Sequence, residues 1–406
     1  MRTVPAAELE ELRELTREVL PETIELRHML HTMPERGMEE TRTAETVRAA
    51  LGRTRLEILP PLIGTDTVGL LRGGVEGRCV LLRADIDALP VEDRSGAEWA
   101  SRNPGFSHAC GHDGHAAMLY GAVRVLERLA DRLRGSVRFV FQPAEEKLGG
   151  GKRLVEKGLL EIDPVPAAAF ALHGWPGLPV GTLSASAGRC MAAADRFVVT
   201  IRGRGGHGAR PHATVDPVVT AAQAILALQT IVSRRIDPVR PVVVSVCTLS
   251  GGVADNAIPD EVVMTGTTRY FDAEMMPAIR DRIEQIVSGV CAAAGASFEL
   301  EYSPGYVPLV NDPEMTDFAA SVIRAYLGEE VWAGSLPVTM GAEDFAFYLE
   351  KVPGAMLRLG LGEDHAGLHE SGFDFADEAM ERGILALTAL ALETLAAESL
   401  PKGRAG

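Results

Sequence analysis

"RCVLLRADID", residues 78–87, runs apolar to Leu82 and then shows two carboxylates, Asp85 and Asp87, two positions apart. The apolar part reads as a buried strand. Two more runs end the same way: "SVRFVFQPAEE" (136–146) closes on Glu145 and Glu146, and "AAAFALHGWP" (167–176) reaches His173 near its end. In open α/β sheets the functional crevice lies beyond the carboxyl ends of the strands, so three such endings point to one site.

Outward from this stretch, "DTVGLLRG" (66–73) reads as a further strand and "HAAMLYGAVRVLERLADRL" (115–133) as an amphipathic helix. Alternating strands and helices predict an α/β sheet covered by helices. From Asp195 the order changes to strand, helix, strand, strand, helix, strand, ending with "ASFELEY" (296–302), which is the ferredoxin-like split unit. The chain is then expected to read helical to its end. Its 406 residues favour two domains. The expected division is a discontinuous catalytic domain, 1–190 and 304–406, interrupted by a ferredoxin-like α+β lid and dimerisation domain at 191–303.

A net charge of −16 argues against nucleic acid or an anionic membrane as partner. "ILALTALALETLAA" (384–397) is too short for a membrane span and carries Glu393. The first twenty residues lack the apolar core of a secretory signal. Five cysteines, an odd number, fit a reducing compartment, so the expected location is cytoplasmic. Cys79 and Cys247 fall in apolar strand-like runs and are expected in the core.

"SHACGHDGH" (107–115) concentrates metal-binding donors. In an extended segment Cys110 and His112 would point to one side, and a thiolate with an imidazole suits zinc or a similar divalent ion. Glu146, His173 and, from "GLHESGFDF" (367–375), His369 complete five donors, enough for two ions that activate water and polarise a carbonyl. Adjacent residues of "PAEE" are expected to face opposite ways, leaving Glu145 as general base and later as acid toward the departing nitrogen. Nothing in the sequence positions His28, His31, His108 or His365, and His115 is ambiguous, close to the donor cluster but at a helix start that would expose it.

Taken in order, "RADIDALP", "HACGHDGHAAML", "FQPAEE", "ALHGWP", "GRGGHGARPH", "DNAIPDE", "GTTRYF", "MGAEDFAFYL" and "LHESGFDF" resemble the di-metal N-acyl-amino-acid amidohydrolases, the group of hippurate hydrolase, indoleacetyl-amino-acid hydrolase and aminoacylase-like carboxypeptidases. The resemblance covers nearly the whole chain. It implies Cys110, His112, Glu146, His173 and His369 as metal ligands, Glu145 as base, and Asp87 as the aspartate that orients a ligand histidine. It also implies His207 as an oxyanion-stabilising residue that often reaches a neighbouring subunit. Asn256 and Arg269 are implied as holders of the substrate carboxylate, a task suited to arginine's planar fork. Where aminopeptidase-like relatives carry a bridging aspartate, this chain has Cys110.

The expected activity is hydrolysis of an acyl-amino acid to a carboxylate and an amino acid, with two divalent ions per subunit (Zn²⁺ or Mn²⁺, with Co²⁺ or Ni²⁺ also suited) in a homodimer or higher homo-oligomer. Three alternatives are a metallo-dipeptidase or carboxypeptidase on the same scaffold, a cysteine hydrolase using Cys110 with His112 or His108, and a non-catalytic metal-binding scaffold. The cysteine reading leaves Glu145, Glu146, His173 and His369 without a task, and the scaffold reading gives no reason to keep Glu145.

Overall fold

The computed structural model describes residues 4–400, which fall into two compact units. The first comprises Met1–Cys190, Val310–Pro337 and Asp344–Gly406, and the second Met191–Leu309 with Val338–Glu343. Residues 1–3 and 401–406, which the sequence reading assigned to the first domain, lie outside the described residues.

In the first unit α1 (Ala6–His31) and α2 (Thr41–Leu51) precede β1 (Glu57–Ile58), β2 (Thr67–Arg72) and β3 (Val75–Asp85). Next come α3 (His112–Leu129), β4 (Arg134–Gln142), α4 (Gly150–Glu156), β5 (Pro166–Pro176) and β6 (Leu183–Ser184), and the chain leaves through β7 (Gly188–Met191). The second unit contains β8 (Ala193–Arg202), β9 (Gly206–His207), α5 (Pro217–Thr230), β10 (Val242–Ser250), β11 (Ala257–Ile258), β12 (Glu261–Tyr270), α6 (Met275–Ala294) and β13 (Ser297–Tyr306). The chain returns through β14 (Leu309–Asn311) to α7 (Pro313–Leu327), α8 (Ala346–Leu349), β15 (Gly354–Gly362) and α9 (Asp377–Ala396).

The first unit is built on a mixed sheet in the order β1-β2-β4-β3-β5-β15-β6. Its four central strands, β4, β3, β5 and β15, are parallel, and antiparallel strands flank them. Burial follows: β3 is buried from Cys79 to Asp85 and β5 from Ala168 to Gly174, as expected for strands covered on both faces. From β3 the chain crosses to β4 on one side, and β5 then docks on the other, so the carboxyl ends of β3, β4 and β5 open on one crevice. Helices α3 and α9 pack against β3 and against α1, and α7 against β15. Fully buried side chains such as Leu119, Val123 and Leu126 of α3 contribute roughly 1.5–3 kcal/mol each.

β15 corrects the expectation of helix after residue 313. "GAMLRLGLG" is buried almost throughout, so it lacks the alternation that marks a half-exposed strand, and its pairing with β5 is invisible locally.

In the second unit β8 and β12 alternate buried and less buried positions, as one-sided antiparallel strands do. The order β10-β12-β8-β13, with α5 and α6 against one face, is the ferredoxin-like arrangement. Phe197, Val199, Ile201, Met264, Ile279 and Ile283 form its own core. Asp216 starts α5 by accepting the N–H groups of Val218 and Val219, with Pro217 in the first helical turn. Cys79 is buried, but Cys247 is exposed: it sits where the β10–β12 register shifts, between Val246 and Thr248. No helix among the described residues is long and apolar enough to cross a membrane.

Candidate metal centre

Past β3, the Asp87 backbone carbonyl accepts a hydrogen bond from His112 Nδ1 at 2.9 Å. That bond directs Nε2 of His112 into the crevice, where it is buried and makes no hydrogen bond among the described residues. His173 is set likewise: Nδ1 donates to the Gly174 carbonyl at 2.7 Å, and Nε2 lies 3.6 Å from Cys110 Sγ. Holding one ring nitrogen by a backbone acceptor fixes which nitrogen faces a ligand.

Cys110 and His112 converge by a different route from the one the spacing suggested. The segment is not extended. Gly111 takes a left-handed conformation (φ 80°), which a residue with a Cβ rarely adopts, and His112 is the first residue of α3. "PAEE" also departs from expectation. Ala144 is left-handed (φ 58°), and carboxylate oxygens of Glu145 and Glu146 both lie within 4.8 Å of each other and of a His112 ring nitrogen, so the two side chains reach the same place. Glu146 Oε1 lies 3.9 Å from His112 Nε2 and 3.3 Å from His369 Nε2. Glu145 Oε1 accepts the Asp344 N–H at 3.4 Å.

His369 is itself left-handed (φ 67°), and its N–H donates to the Ala109 carbonyl at 2.8 Å, joining the late loop to "SHACGHDGH". Cys110, His112 and His173 form one group with ligand atoms within 4.8 Å of one another, and Cys110, Glu146 and His369 form a second. Cys110 belongs to both groups.

Electrostatics favour a cation here. Burial is the largest influence on His112 and opposes its charge, yet Asp85, Asp87 and Glu146 hold its pKa up to about 10. Burial pushes the Cys110 thiol well up, and Glu146, Glu145 and Asp85 push it further. His173 is driven well below the usual imidazole range by burial and by His115. Burial would raise Glu146, but the hydrogen bond from His369 and the charge of His112 bring it down. A nucleophilic cysteine needs positive surroundings that lower its pKa, so the carboxylates around Cys110 speak against the cysteine-hydrolase alternative. They suit a divalent cation, which answers the buried carboxylates, the thiol and the partnerless imidazole nitrogen together.

Asp87 does more than face a histidine. Its Oδ1 accepts the Glu145 N–H at 2.9 Å and its Oδ2 the Glu146 N–H at 3.1 Å. Sequence reasoning missed several supports. His115, ambiguous in the sequence, is buried: Nδ1 donates to Asp85 at 2.6 Å and Nε2 accepts the Gly174 N–H at 2.7 Å, which ties α3 to the end of β5 beside His173. Asp344, within a quoted motif but given no role, binds Arg83, Gln142 and the Gly151 N–H beneath the site. His31 is buried too. Burial opposes its charge, but Asp113 and Asp93 raise its pKa to about 10. The neighbouring Arg27 pairs with Asp374 at 2.7 Å, linking α1 to the approach to α9.

The other three candidates belong to the second unit. His207 and Asn256 are exposed neighbours: His207 lies opposite Ala257 in the β9–β11 ribbon, and the Asn256 carbonyl accepts the Gly208 N–H at 2.8 Å. Arg269 is half-buried in β12, opposite Val243 and Ala194, and burial lowers its pKa.

Known proteins share this architecture. The N-acyl-L-amino acid amidohydrolase of Geobacillus stearothermophilus is 42% identical over 308 residues, 75% of this chain and 82% of that protein. Thermostable carboxypeptidase 2 of Saccharolobus solfataricus is 36% identical over 95% of this chain and 98% of its own. The crystal structure of the YxeP protein of Bacillus subtilis, described as a dinuclear metal binding peptidase, superposes with a TM-score of 0.80 at 32% identity, covering 94% of this chain and 99% of that one. The sequence profile of the peptidase family M20/M25/M40 matches residues 81–393, and the chain belongs to that family.

Proposed function

We propose that the protein is a metal-dependent amidohydrolase that cleaves N-acyl-amino acids to a carboxylate and a free amino acid. What carries the reading is the convergence of Cys110, His112, Glu146, His173 and His369 with a further carboxylate, Glu145, at the ends of parallel strands. The amidohydrolase and carboxypeptidase relatives and the dinuclear structure support it.

The five donors would hold two divalent cations, Zn²⁺ or Mn²⁺ with Co²⁺ or Ni²⁺ as substitutes, which when bound make water more acidic and polarise a carbonyl. Glu145 then takes the proton as water adds to the amide carbon, and delivers it to the nitrogen as the C–N bond breaks. Asp87 and Asp344 keep it in place through the backbone bonds described above. His207 stabilises the oxyanion, and Asn256 and Arg269 bind the carboxylate of the amino acid. The acyl group takes a cavity of about 230 Å³ beside Glu146, lined by Leu89, Pro90, Phe106 and Leu148. Five free cysteines agree with a cytoplasmic enzyme.

The test is a panel of acetyl-, benzoyl- and indoleacetyl-amino acids, with dipeptides alongside, assayed with several divalent metals. Acyl-amino acids are expected to be turned over faster than dipeptides. The reverse order would favour the carboxypeptidase reading that the Saccharolobus relative supports, and no turnover of any member would end the enzymatic reading.

The second unit is proposed to form the interface of a homodimer. Its sheet has open edges at β10 and β13, and Val219, Leu226 and Leu249 leave apolar surface exposed. If His207 serves the partner's site, Glu145→Ala and His207→Ala proteins are each nearly inactive alone. Mixed in equal amounts under subunit exchange, they are expected to regain roughly a quarter of the sites, because about half the dimers are mixed and each has one intact site. No recovery, with exchange shown independently, would place His207 in its own chain's site or in none.

A further inference from the structure

Glu40 occupies the N-cap position of α2, where a short polar side chain such as Asp, Asn or Ser ordinarily caps the helix. It makes no capping bond. The fully buried carboxylate turns away instead: Oε1 accepts the Ala144 N–H at 2.9 Å and Oε2 accepts the Thr65 hydroxyl at 2.8 Å. Ala144 is one of three residues other than glycine with positive φ among the described residues, and it immediately precedes Glu145 and Glu146. Alanine pays a steric penalty in the left-handed region, so such a conformation persists only where the surroundings enforce it.

The surrounding hydrogen bonds supply that enforcement. Three successive N–H groups, those of Ala144, Glu145 and Glu146, each donate to a carboxylate oxygen, the first on Glu40 and the other two on Asp87. The Ala144 carbonyl accepts the Gly150 N–H at 3.0 Å. Gly37 presses on the same residue: a Cβ there would come within 3.0 Å of both Cα and Cβ of Ala144. The segment carrying Gly37 and Glu40 is itself anchored. The Glu35 carbonyl accepts the Ala88 N–H at 2.8 Å, and its carboxylate accepts the Thr43 N–H at 2.9 Å and the Thr43 hydroxyl at 3.0 Å.

We propose that Glu40 is a positioning residue for the general base: its bond to the Ala144 N–H holds the left-handed turn that aims Glu145 and Glu146 into the crevice. Its catalytic part rests on the reading of Glu145 as base given above. Without the bond Ala144 relaxes toward the right-handed or extended region, and both carboxylates move by a sizeable fraction of an ångström. Misplacement on the scale of 1 Å costs on the order of a hundredfold in rate.

The experiment compares Glu40→Ala, Glu40→Gln and Glu40→Ala with Ala144→Gly. It reads hydrogen–deuterium exchange of the peptide spanning 143–147 in metal-free protein, then kcat and KM on N-benzoylglycine with metal supplied. Glu40→Ala is expected to speed exchange of the turn by about tenfold or more and to lower kcat by about 10- to 100-fold, with KM changed by less than about threefold. Glu40→Gln retains a carbonyl oxygen that accepts the Ala144 N–H, and it is expected to bring both readouts to within about threefold of wild type. Adding Ala144→Gly to Glu40→Ala is expected to recover about fivefold in kcat, because glycine enters the left-handed region without alanine's steric cost. Should Glu40→Ala not fold, Glu40→Asp serves in its place, being one methylene too short for the bond, with the same expected losses. Exchange and kcat of the shortened variants within about twofold of wild type would overturn the proposal, and so would a Glu40→Gln protein as impaired as they are. The exchange readout needs no turnover. If wild-type protein hydrolyses no acyl-amino acid, the functional reading fails while exchange still decides whether Glu40 holds the turn.

Discussion

Glu145→Gln is expected to lose roughly 10²–10⁴-fold in turnover while keeping a near-normal metal content; Glu146→Gln is expected to lose metal as well. The two side chains are neighbours in sequence and in space, so the contrast depends on what each one touches. Glu146 Oε1 lies between His112 Nε2 and His369 Nε2, at 3.9 and 3.3 Å. An amide there removes a negative charge from beside the proposed ions. Glu145 Oε1 is steadied by the Asp344 N–H, and an amide oxygen accepts that bond equally well, so the substitution removes basicity while keeping that bond. Metal per chain by elemental analysis, beside kcat for both variants, decides the matter. If Glu145→Gln is the metal-poor protein, the two roles within "PAEE" are reversed.

Thorough chelation is expected to abolish amide hydrolysis, and added Zn²⁺, Mn²⁺ or Co²⁺ to restore it to differing extents. The same treatment is expected to lower thermal stability. Saturating ligand present at about a thousand times its Kd stabilises the folded state by about 4 kcal/mol, and removing it forfeits that amount. Without a cation, Glu146, Asp85 and the Cys110 thiol crowd into a buried space in which the His112 Nε2 atom has no hydrogen-bond partner. Activity and melting temperature are to be followed across a metal titration of the stripped protein. Full activity in protein verified as metal-free would falsify the metal requirement.

Much of the site was legible because its donors come from short stretches placed at strand ends. Asp87, "PAEE" and His173 each follow an apolar run, and a parallel sheet carries those ends to one edge. What could not be read was local backbone conformation and long-range support. Gly111 turns the chain between Cys110 and His112, and Ala144 turns it before Glu145; neither rotation has a signature in the spacing of the donors. Glu40 and Ala144 meet through pairing of segments about a hundred residues apart, which no periodicity reports. β15 was missed because a strand buried on both faces shows no alternation, and Cys247 was misplaced because a register shift moved an apolar-run residue to the exterior. His115 was ambiguous because a helix start is compatible with exposure or burial; its bonds to Asp85 and Gly174, which make it a buried tie between α3 and β5, come from distant segments.

The interrupted path of the chain through the sheet has a consequence for biosynthesis. Gly354 of β15 lies opposite Ala169 of β5, and the whole main segment of the second unit is translated between them. That segment has its own core and can condense as soon as it leaves the ribosome, while β5 waits with an unpaired edge. His369 emerges later still, followed by α9, which packs against α1, α3 and β3. Closure of the sheet is thus a contact of very high sequence separation, the kind that forms slowly and leaves apolar strands open to association in the meantime. Competence is the last property the growing polypeptide acquires, and a chain released early carries the proposed base without the full set of proposed ligands.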